Sequence, residues 1–263
     1  MTLPPVHAAF AWIDAPWGAA LQCRPLAEIA PHLFTTRQLE LTDEGYAALA
    51  AALGAEAVAT VTQVHGANVV VVRRGMPPPA VGPNADALIS DDGRAAIAVR
   101  AADCVPLLMA DRRRGVVAAV HAGWRGTVAR ISTTALAALS REFGTRPEDV
   151  VVAVGPSIGA CCYEVGPDVV DAFAAAKHDR HLLQRWVTER PALRAGAAAP
   201  DQRSLRLDVA AANRDQLAMA GVPGDQIHLP GLCTAMHLDV LTSYRAEKDA
   251  ASRIAGAIRA SAP

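Results

Sequence analysis

The chain has 263 residues, of which 52% are hydrophobic and 19% are charged. Its 25 basic and 26 acidic side chains give a formal net charge of -1. This balance argues against a nucleic-acid-binding protein, which usually carries a basic face. No stretch approaches the roughly 18 consecutive apolar residues of a membrane span, and the first residues lack a basic region followed by an apolar one. We therefore expect a cytoplasmic protein without a secretory signal and without a membrane partner.

The composition changes little along the chain, which predicts a single domain over residues 1–263. No Ser/Gly-rich or charged linker divides it, and its motifs are spread over most of its length. Five cysteines make an odd number, which favours core residues, metal ligands or reactive thiols over disulfides. They are Cys23, Cys104, Cys161, Cys162 and Cys233. The adjacent Cys161-Cys162 pair lacks CxxC spacing and is a poor redox motif.

The first half of the chain predicts mainly strands. The first forty residues show weak periodicity, and a helix then begins at Thr42, a plausible N-cap, and continues to Leu53. Short runs rich in Val and Ile follow and predict strands. These are Val58–Val64, Val69–Val72, Ala87–Ile89, Ala95–Val99, Val105–Met109 and Val116–Val120. We interpret Asp91–Gly93 and Asp111–Gly115 as hairpin turns, and 77–83 as a surface loop.

After Gly126 the apolar spacing changes to three and four residues, which predicts a helix from Val128 to Phe143. A buried strand follows at Val150–Val154. Further helices are predicted at Pro167–Ala176, Asp208–Ala220 and Asp249–Arg259, and 188–202 is predicted to be an exposed, mobile loop. Strands without strict strand–helix alternation indicate an α+β fold with mixed sheets.

Three residues beside predicted strand ends could bind a metal: His65, Cys104 and His121. Two imidazoles and a thiolate suit Zn²⁺, with Cu²⁺ as the less selective alternative. Three ligands and an open position are typical of a catalytic zinc, which lowers the pKa of its bound water to about 7. From spacing alone, hydrogen-bonded histidines and a small buried cysteine are the commoner explanation of such residues.

Two glycine-rich turns carry further candidates. After His121, a turn leads into a helix whose first N–H groups, together with Arg125, could bind phosphate; an ordinary corner with a solvated arginine is the alternative. The Gly155–Val165 loop carries Glu164, a candidate proton shuttle, and Tyr163, which could stack on a base. The alternative is a packed loop with Glu164 facing solvent.

Together the motifs resemble the laccase-domain or polyphenol oxidoreductase family, whose members are also described as peptidoglycan editing factors and purine nucleoside phosphorylases. The resemblance extends from about Thr60 to Tyr244. It rests on Thr62-Gln63-Val64-His65-Gly66, Ala85-Asp86-Ala87-Leu88, Ala102-Asp103-Cys104-Val105-Pro106, His121-Ala122-Gly123-Trp124-Arg125-Gly126, Gly155–Val165, Cys233-Thr234 and Ser243-Tyr244-Arg245. It implies that His65, Cys104 and His121 are the metal ligands and that the fold is a compact α/β/β/α-type sandwich.

The resemblance also implies cleavage of adenosine, inosine or methylthioadenosine by phosphate, and deamination of adenosine. For phosphorolysis we expect phosphate near Arg125, with Arg37 and Arg245 completing the anion site. For deamination we expect metal-activated water to attack C6 of adenine while Glu164 shuttles protons. Zinc, or alternatively copper, is the expected cofactor, and a nucleoside and phosphate are the expected partners.

Two stretches depart from the family pattern. A Gly-Gly-Val-Ser and Asn-containing loop is missing after Phe34-Thr35-Thr36-Arg37, and Arg245 is followed by Ala246-Glu247-Lys248 instead of Arg-Asp-Gly. Ser252-Arg253 stands where the family has Gly-Arg. Both stretches could line the substrate pocket, so the metal ligands are better determined than the substrate.

Three other functions stay open at this stage. A metal-free cysteine hydrolase would use Cys104 as nucleophile and His121 as base. A copper-dependent polyphenol oxidase would need more copper than one such site holds. A protein that binds or edits peptidoglycan precursors would use the pocket without this catalysis.

Overall fold

The computed structural model describes residues 2–76, 82–191 and 203–261. These residues form fifteen strands and eight α-helices, with four short 3-10 turns between them. The strands are β1 (Phe10–Ala15), β2 (Gly18–Cys23), β3 (His32–Thr35), β4 (Ala57–Ala59), β5 (Val69–Val72), β6 (Ala87–Ser90), β7 (Ala95–Ala101), β8 (Val105–Asp111), β9 (Val117–Ala122), β10 (Val150–Val154), β11 (Glu164–Val165), β12 (Val187–Pro191), β13 (Arg203–Leu207), β14 (Ile227–His228) and β15 (Ile254–Arg259). The helices are α1 (Arg24–Ala27), α2 (Asp43–Ala52), α3 (Trp124–Val128), α4 (Ile131–Phe143), α5 (Pro167–Ala175), α6 (Arg180–Trp186), α7 (Val209–Met219) and α8 (Tyr244–Glu247).

Two six-stranded mixed sheets stack on each other. The first has the order β1-β2-β3-β15-β7-β4, and the second has the order β14-β10-β8-β9-β6-β5. A small third sheet, β11-β13-β12, stands apart from both. Parallel pairs (β4–β7, β5–β6 and β10–β14) occur beside antiparallel ones, so the predicted α+β fold with mixed sheets is confirmed.

Three apolar cores separate four layers. One core lies between α2 and the first sheet, with Leu49 and Leu53 against Ala96 and Ala98. A second lies between the two sheets, and a third lies between the second sheet and helices α4 to α7. Helix, sheet, sheet and helices therefore stack in the α/β/β/α order that the resemblance implied.

Strand β7 shows how the sequence produces this stacking. Side chains alternate across a strand, and Ile97, Val99 and Ala101 enter the core between the sheets while Ala96 and Ala98 face α2. Both faces are covered over 95–99, so this part of the strand is a continuous apolar run instead of a polar–apolar alternation. Arg100, which follows it, is exposed. The small alanines leave room for α2 to approach the sheet.

Local signals predicted several elements correctly. The Thr42 hydroxyl accepts a hydrogen bond from the Gly45 N–H at the start of α2, and the Asp208 carboxylate accepts one from Ala211 at the start of α7. The Asp111–Gly115 turn joins the antiparallel strands β8 and β9, and Asp111 Oδ1 accepts hydrogen bonds from the next turn residues, Arg113 and Arg114. In each case the stabilising contact lies within four residues along the chain.

The prediction of a hairpin at Asp91–Gly93 was wrong. This segment connects β6 in the second sheet to β7 in the first, and these strands pack face to face instead of pairing edge to edge. Leu88 and Ile97 meet in the core between the sheets. The turn chemistry is still present, because Asp92 accepts the Arg94 N–H at 3.0 Å, but it serves a crossing between layers.

The predicted last helix, Asp249–Arg259, was also wrong, because Ile254–Arg259 is strand β15. Ile254 and Ile258 are four residues apart, a spacing that suits one face of a helix and equally one face of a strand. Antiparallel pairing with both β3 and β7 decides between these structures. Long-range pairing here overrides the helix propensity of the alanines.

Other differences concern boundaries. The weakly periodic first forty residues contain three strands and a short helix. Of the Val58–Val64 run, only Val58 and Ala59 belong to a strand, β4. Part of the predicted 188–202 loop is strand β12, while 192–202 lie outside the described residues, as do 77–81 of the predicted surface loop. The Val128–Phe143 helix is divided at Arg130, whose φ is 59°.

None of the helices in the described part of the chain has the length and apolarity to span a bilayer.

A buried histidine in the first sheet makes stability depend on pH. His32 is 1% exposed; its Nε2 accepts the Cys23 N–H at 3.0 Å, and its Nδ1 then donates to the Ala30 carbonyl at 2.9 Å. This arrangement needs the neutral ring. Burial lowers the pKa of His32 from 6.5 to about 4, against the smaller opposing effect of the Ala30 hydrogen bond.

Because the folded-state pKa is lowered, the unfolded chain binds the proton first, and stability falls as pH decreases from about 6.5 toward about 4. We expect His32 to contribute a loss of about 2 kcal/mol between about pH 7.5 and about pH 5. Urea unfolding of wild type, His32→Gln and the exposed-site control His181→Gln measures this. The stability gap between wild type and His32→Gln should shrink by that amount, and an unchanged gap would contradict the assignment.

Candidate metal centre and its cavity

The three predicted metal ligands meet in space. His65 lies between β4 and β5, Cys104 directly precedes β8, and His121 lies within β9. His65 Nε2 is 3.9 Å from Cys104 Sγ, and the two imidazole centroids are 4.9 Å apart. The possible ligand atoms of all three residues lie within 4.8 Å of one another. The expectation that a strand ends at His65 was wrong, since β4 ends at Ala59.

One buried carboxylate positions both histidines. Asp86 is fully buried, and its oxygens accept backbone N–H bonds from His65 at 2.9 Å, Gly66 at 2.6 Å and Val64 at 3.3 Å. Its Oδ1 also lies 2.8 Å from His121 Nδ1. When the Nδ1–H donates a hydrogen bond to a carboxylate, Nε2 is left to bind a metal, and such partners orient metal-binding histidines in proteins.

Two residues at the centre have left-handed backbone, which is unfavourable for non-glycine residues. His65 has φ 60° and is stabilised by the Asp86 contacts. Asp103, next to Cys104, has φ 85°. Its carboxylate accepts hydrogen bonds from Thr234 Oγ1 at 2.6 Å and from the Arg245 N–H at 2.6 Å. Such conformations cost about 1–3 kcal/mol each and persist where the surroundings over-determine them.

Gly123 allows the ligands to approach. A Cβ atom at this position would lie 2.9 Å from Cys104 Sγ and 3.0 Å from His65 Cδ2. Both contacts are shorter than normal packing allows, so a side chain would displace the thiol or the ring. The glycine after His121 therefore gives space to the centre as well as forming the corner into α3.

The charges at the centre support one another. Burial raises the pKa of Cys104, but hydrogen bonds with His121 and His65 outweigh it and lower the pKa to about 7. Burial lowers the pKa of His121, but Asp86 and Cys104 together raise it to about 9. Burial opposes ionisation of Asp86 too, yet contacts with His121, Gly66 and His65 lower its pKa. The cluster thus stabilises a thiolate close to neutral pH.

These residues fit a bound metal ion. The donor set has two imidazoles and a thiolate within bonding reach of one point, a carboxylate behind one imidazole, and a glycine where a Cβ would collide. Nitrogen and sulfur donors in this ratio suit Zn²⁺ and Cu²⁺. His65, Cys104 and His121 would hold the ion.

The centre opens into a cavity of about 710 Å³. Five cationic side chains line it: Arg100, Arg125, Arg245, Lys248 and Arg253. Three aromatic rings line it as well: Trp124, Tyr163 and Tyr244. Among the described residues, Asp103 is the acidic residue in its wall. The cavity therefore combines aromatic surface with excess positive charge.

Four of the five cations, all except Arg100, lie over aromatic rings of the cavity wall. The Arg125 guanidinium lies 4.2 Å from the centroid of Trp124, and that of Arg245 lies 5.1 Å from Tyr163. Arg245 Nη1 also donates to the Glu164 carbonyl at 2.9 Å. Within the described ranges, none of the five cations of the cavity pairs with a carboxylate at 4.0 Å or less. Their charge is available to an anionic ligand.

Two predicted site residues do not reach the cavity. The Glu164 carboxylate accepts the Ser204 hydroxyl at 2.8 Å and lies 3.4 Å from Arg206. It faces β13 because side chains alternate along β11, whereas the preceding Tyr163 lines the cavity. Arg37 donates to the Leu238 carbonyl and pairs with Glu247 at 3.0 Å. These contacts connect distant chain segments. The predicted proton-shuttle and phosphate roles of the two residues gain no support from this geometry.

Several residues of the site carry no predicted role. Asp86 lies within the Ala85-Asp86-Ala87-Leu88 motif, where a carboxylate directly before an apolar strand is the signal that points to it. Lys248 and Arg253 lie in the carboxyl-terminal stretch that departs from the family pattern, and that stretch does line the cavity. The other departing stretch, near Phe34–Arg37, contributes no residue to the cavity wall.

Replacing Asp86 tests its positioning role. In Asp86→Asn an amide NH₂ must face either the His65 and His121 donors or the Gly66 and Val64 donors, so one hydrogen-bonded side is lost. We expect zinc affinity to fall about 10–100-fold, measured by competition with a chromophoric chelator. Asp91→Asn, which removes a carboxylate outside the cavity wall, is the matched control. Unchanged affinity in Asp86→Asn, with the fold intact by circular dichroism, would refute this role.

The chain is similar in sequence to several known proteins. A purine nucleoside phosphorylase of Deinococcus radiodurans is 39% identical over 225 residues, which cover 78% of this chain and 79% of the relative. One of Bacteroides thetaiotaomicron is 38% identical over 160 residues, 61% of this chain and 55% of the relative. Adenosine deaminase RL5, from an unknown prokaryotic organism, is 40% identical over 142 residues, 54% of this chain and 49% of the relative. The matched segment thus spans about half the length of two of these three relatives.

A family model described as multi-copper polyphenol oxidoreductase laccase matches residues 38–261. That range contains all three candidate ligands, Asp86 and the cationic wall of the cavity. The chain therefore belongs to the multi-copper polyphenol oxidoreductase laccase family.

Proposed function

We propose that this protein is a metal-dependent purine nucleoside phosphorylase. The observation that carries the proposal is the shared cavity: five cations without carboxylate partners in the described structure face the same space as the His65, Cys104 and His121 cluster. A nucleoside is uncharged and would not be attracted by these cations, whereas inorganic phosphate is an anion that they would bind. The names of the Deinococcus and Bacteroides relatives point to the same reaction.

The wall of the cavity provides separate surfaces for the two substrates. The purine base is apolar on its faces and stacks on aromatic rings, which Trp124, Tyr163 and Tyr244 supply. Phosphate is bound by guanidinium groups through paired, charge-assisted hydrogen bonds, for which Arg125 and Arg245 are held in place by ring contacts. Zinc is the proposed ion, with copper as the alternative.

In phosphorolysis a phosphate oxygen forms a bond to C1′ of the ribose as the C1′–N9 bond breaks. The electron pair of that bond passes to the purine, which takes up a proton, and the products are ribose 1-phosphate and free base. Arg125 and Arg245 would orient the phosphate, while Asp86 retains the Nδ1 proton of His121. When bound, the metal ion would supply Lewis acidity and activated water in the same cavity.

Adenosine deamination is a second candidate, because adenosine deaminase RL5 is among the relatives. This reaction needs water instead of phosphate and releases ammonia with inosine. Since Glu164 faces β13, Asp103 is the carboxylate that the cavity offers in its place. Both Asp103 oxygens already accept hydrogen bonds, so this arrangement supports phosphorolysis better than deamination.

Product analysis tests the proposed reaction. Zinc-loaded protein incubated with adenosine and phosphate should release adenine and ribose 1-phosphate, and omission of phosphate should abolish adenine formation. Cys104→Ser and His65→Ala should lose this activity together with the metal ion of this centre. Absence of adenine from metal-replete wild type would refute the proposal, and inosine without adenine would favour the deaminase.

Replacing Arg245 tests the phosphate site. Loss of a charge-assisted hydrogen bond costs about 1.5–3 kcal/mol, so Arg245→Gln should raise KM for phosphate about 10–100-fold while KM for adenosine changes far less. The exposed Arg180, outside the cavity wall, provides Arg180→Gln as the control for lost charge. Equal effects on both KM values would place the phosphate elsewhere.

A further inference from the structure

A second group of sulfur atoms lies outside the cavity just described. Cys161 and Cys162 follow one another in the loop after β10, and Cys233 comes from the segment between β14 and α8. Their three Sγ atoms lie within 4.8 Å of one another, and none of them is in a disulfide. Cysteines separated by about seventy positions in the chain thus converge at one point.

Backbone contacts hold the two segments together at this point. Ser157 and Cys233 form an isolated parallel bridge, in which the Thr234 N–H donates to the Ser157 carbonyl at 3.0 Å. The Gly159 N–H donates to Cys233 Sγ at 3.3 Å. The loop then turns back, since the Cys162 N–H donates to the Gly159 carbonyl at 2.9 Å. The convergence is therefore part of the folded backbone.

Gly159 leaves space for the sulfur atoms. A Cβ on this residue would lie 3.3 Å from Cys161 Sγ, 3.4 Å from Cys233 Cβ and 3.7 Å from Cys233 Sγ. The contact with Cys161 Sγ is tighter than ordinary packing, and the two contacts with Cys233 are ordinary van der Waals distances. A side chain here would therefore fill the space beside Cys161 and Cys233.

An ion from solution can reach the cluster. Cys161 is exposed, and a cavity of about 240 Å³ is lined by Cys161 and Cys233 together with Gly159, Gly231, Leu232 and Asp208. Three sulfur atoms bonded to one ion at about 2.3 Å lie about 3.8 Å apart in a tetrahedral arrangement. Since the three Sγ atoms lie within 4.8 Å of one another, each pair is at most about 1 Å farther apart than in that geometry.

We propose that Cys161, Cys162 and Cys233 form a second metal site, which binds a thiophilic d¹⁰ cation, Cu⁺ or Zn²⁺, through three thiolates. Soft sulfur donors select these ions over Mg²⁺, Ca²⁺ or Mn²⁺. Binding releases the thiol protons to solvent and changes no oxidation state. The site is independent of the proposed phosphorylase reaction and would exist whatever the substrate of the larger cavity.

An ion at this second site would also stabilise the wall of the cavity beside His65, Cys104 and His121. Tyr163, which directly follows Cys162, lines that cavity. Thr234, which directly follows Cys233, donates to the Asp103 carboxylate beside Cys104. An ion that crosslinks the two segments would therefore stabilise both the aromatic wall and the segment that carries one ligand of the first centre.

Metal stoichiometry tests the proposal. Reduced wild type, stripped of metal, is titrated with Zn²⁺ against a chromophoric chelator and, anaerobically with ascorbate, with Cu⁺ against a Cu⁺-specific chelator. The double variant Cys161→Ser/Cys162→Ser should bind one equivalent less than wild type of at least one of these ions. This difference does not depend on whether the His65 centre is filled, so its failure is distinguishable from failure of the proposed function.

Cobalt substitution reports the donor atoms themselves. Three of the four thiolates expected around Co²⁺ belong to the proposed site and one belongs to Cys104. The double variant lacks two of these three thiolates, and Cys233 alone should not hold the ion. It should therefore lose about three quarters of the thiolate-to-cobalt charge-transfer intensity. Cys23→Ala, which removes a buried cysteine outside both clusters, should retain all of it. The single variant Cys161→Ser, at an exposed position, repeats the measurement with the least disturbance to folding.

Equal stoichiometry in wild type and the cysteine variants for both ions would overturn the proposal. So would a disulfide among these cysteines that persists under the reducing conditions of the titration, detected as a deficit of two thiols by alkylation and mass spectrometry.

Discussion

The buried carboxylate of Asp86 is the interaction on which the candidate site depends. It lies at the start of β6, and its oxygens collect three backbone N–H groups from the His65 loop and the Nδ1 of His121 on the neighbouring strand β9. A charge without solvent contact is costly unless it is fully hydrogen-bonded. Here the hydrogen bonds that offset this cost are the ones that aim both imidazoles at one point.

A second carboxylate, that of Asp103, holds the segment of the third candidate ligand, Cys104, in a similar way. Asp103 has left-handed backbone, and its carboxylate binds Thr234 and the Arg245 N–H, so the carboxyl-terminal segment fixes the residue next to Cys104. The same segment brings Arg245, Lys248 and Arg253 into the cavity. The position of the thiol and the positive charge of the wall therefore depend on one docked stretch of chain, and they should be gained or lost together.

Aromatic rings allow the cavity to remain positive. Arginines usually pair with carboxylates in folded proteins, and such pairs would cancel the charge that an anion needs. Stacking on Trp124 and Tyr163 orients Arg125 and Arg245 without supplying a competing negative group. Glu164 directly follows Tyr163, but its carboxylate contacts Ser204 and Arg206. Glu247 lies two residues after Arg245, but its carboxylate pairs with Arg37.

The sequence alone determined the features whose causes are local. Capped helices such as α2 and α7, the β8–β9 hairpin and the apolar strands follow from hydrogen bonds and side-chain periods within a few residues. Family motifs added the three ligands. Only the tertiary structure decided that Ile254–Arg259 is a strand, that Asp91–Gly93 joins two sheets, that Tyr163 and not Glu164 faces the cavity, and that Cys233 meets Cys161 and Cys162. Each of these outcomes depends on which distant segment packs alongside, and neither an apolar period nor a turn motif specifies that partner.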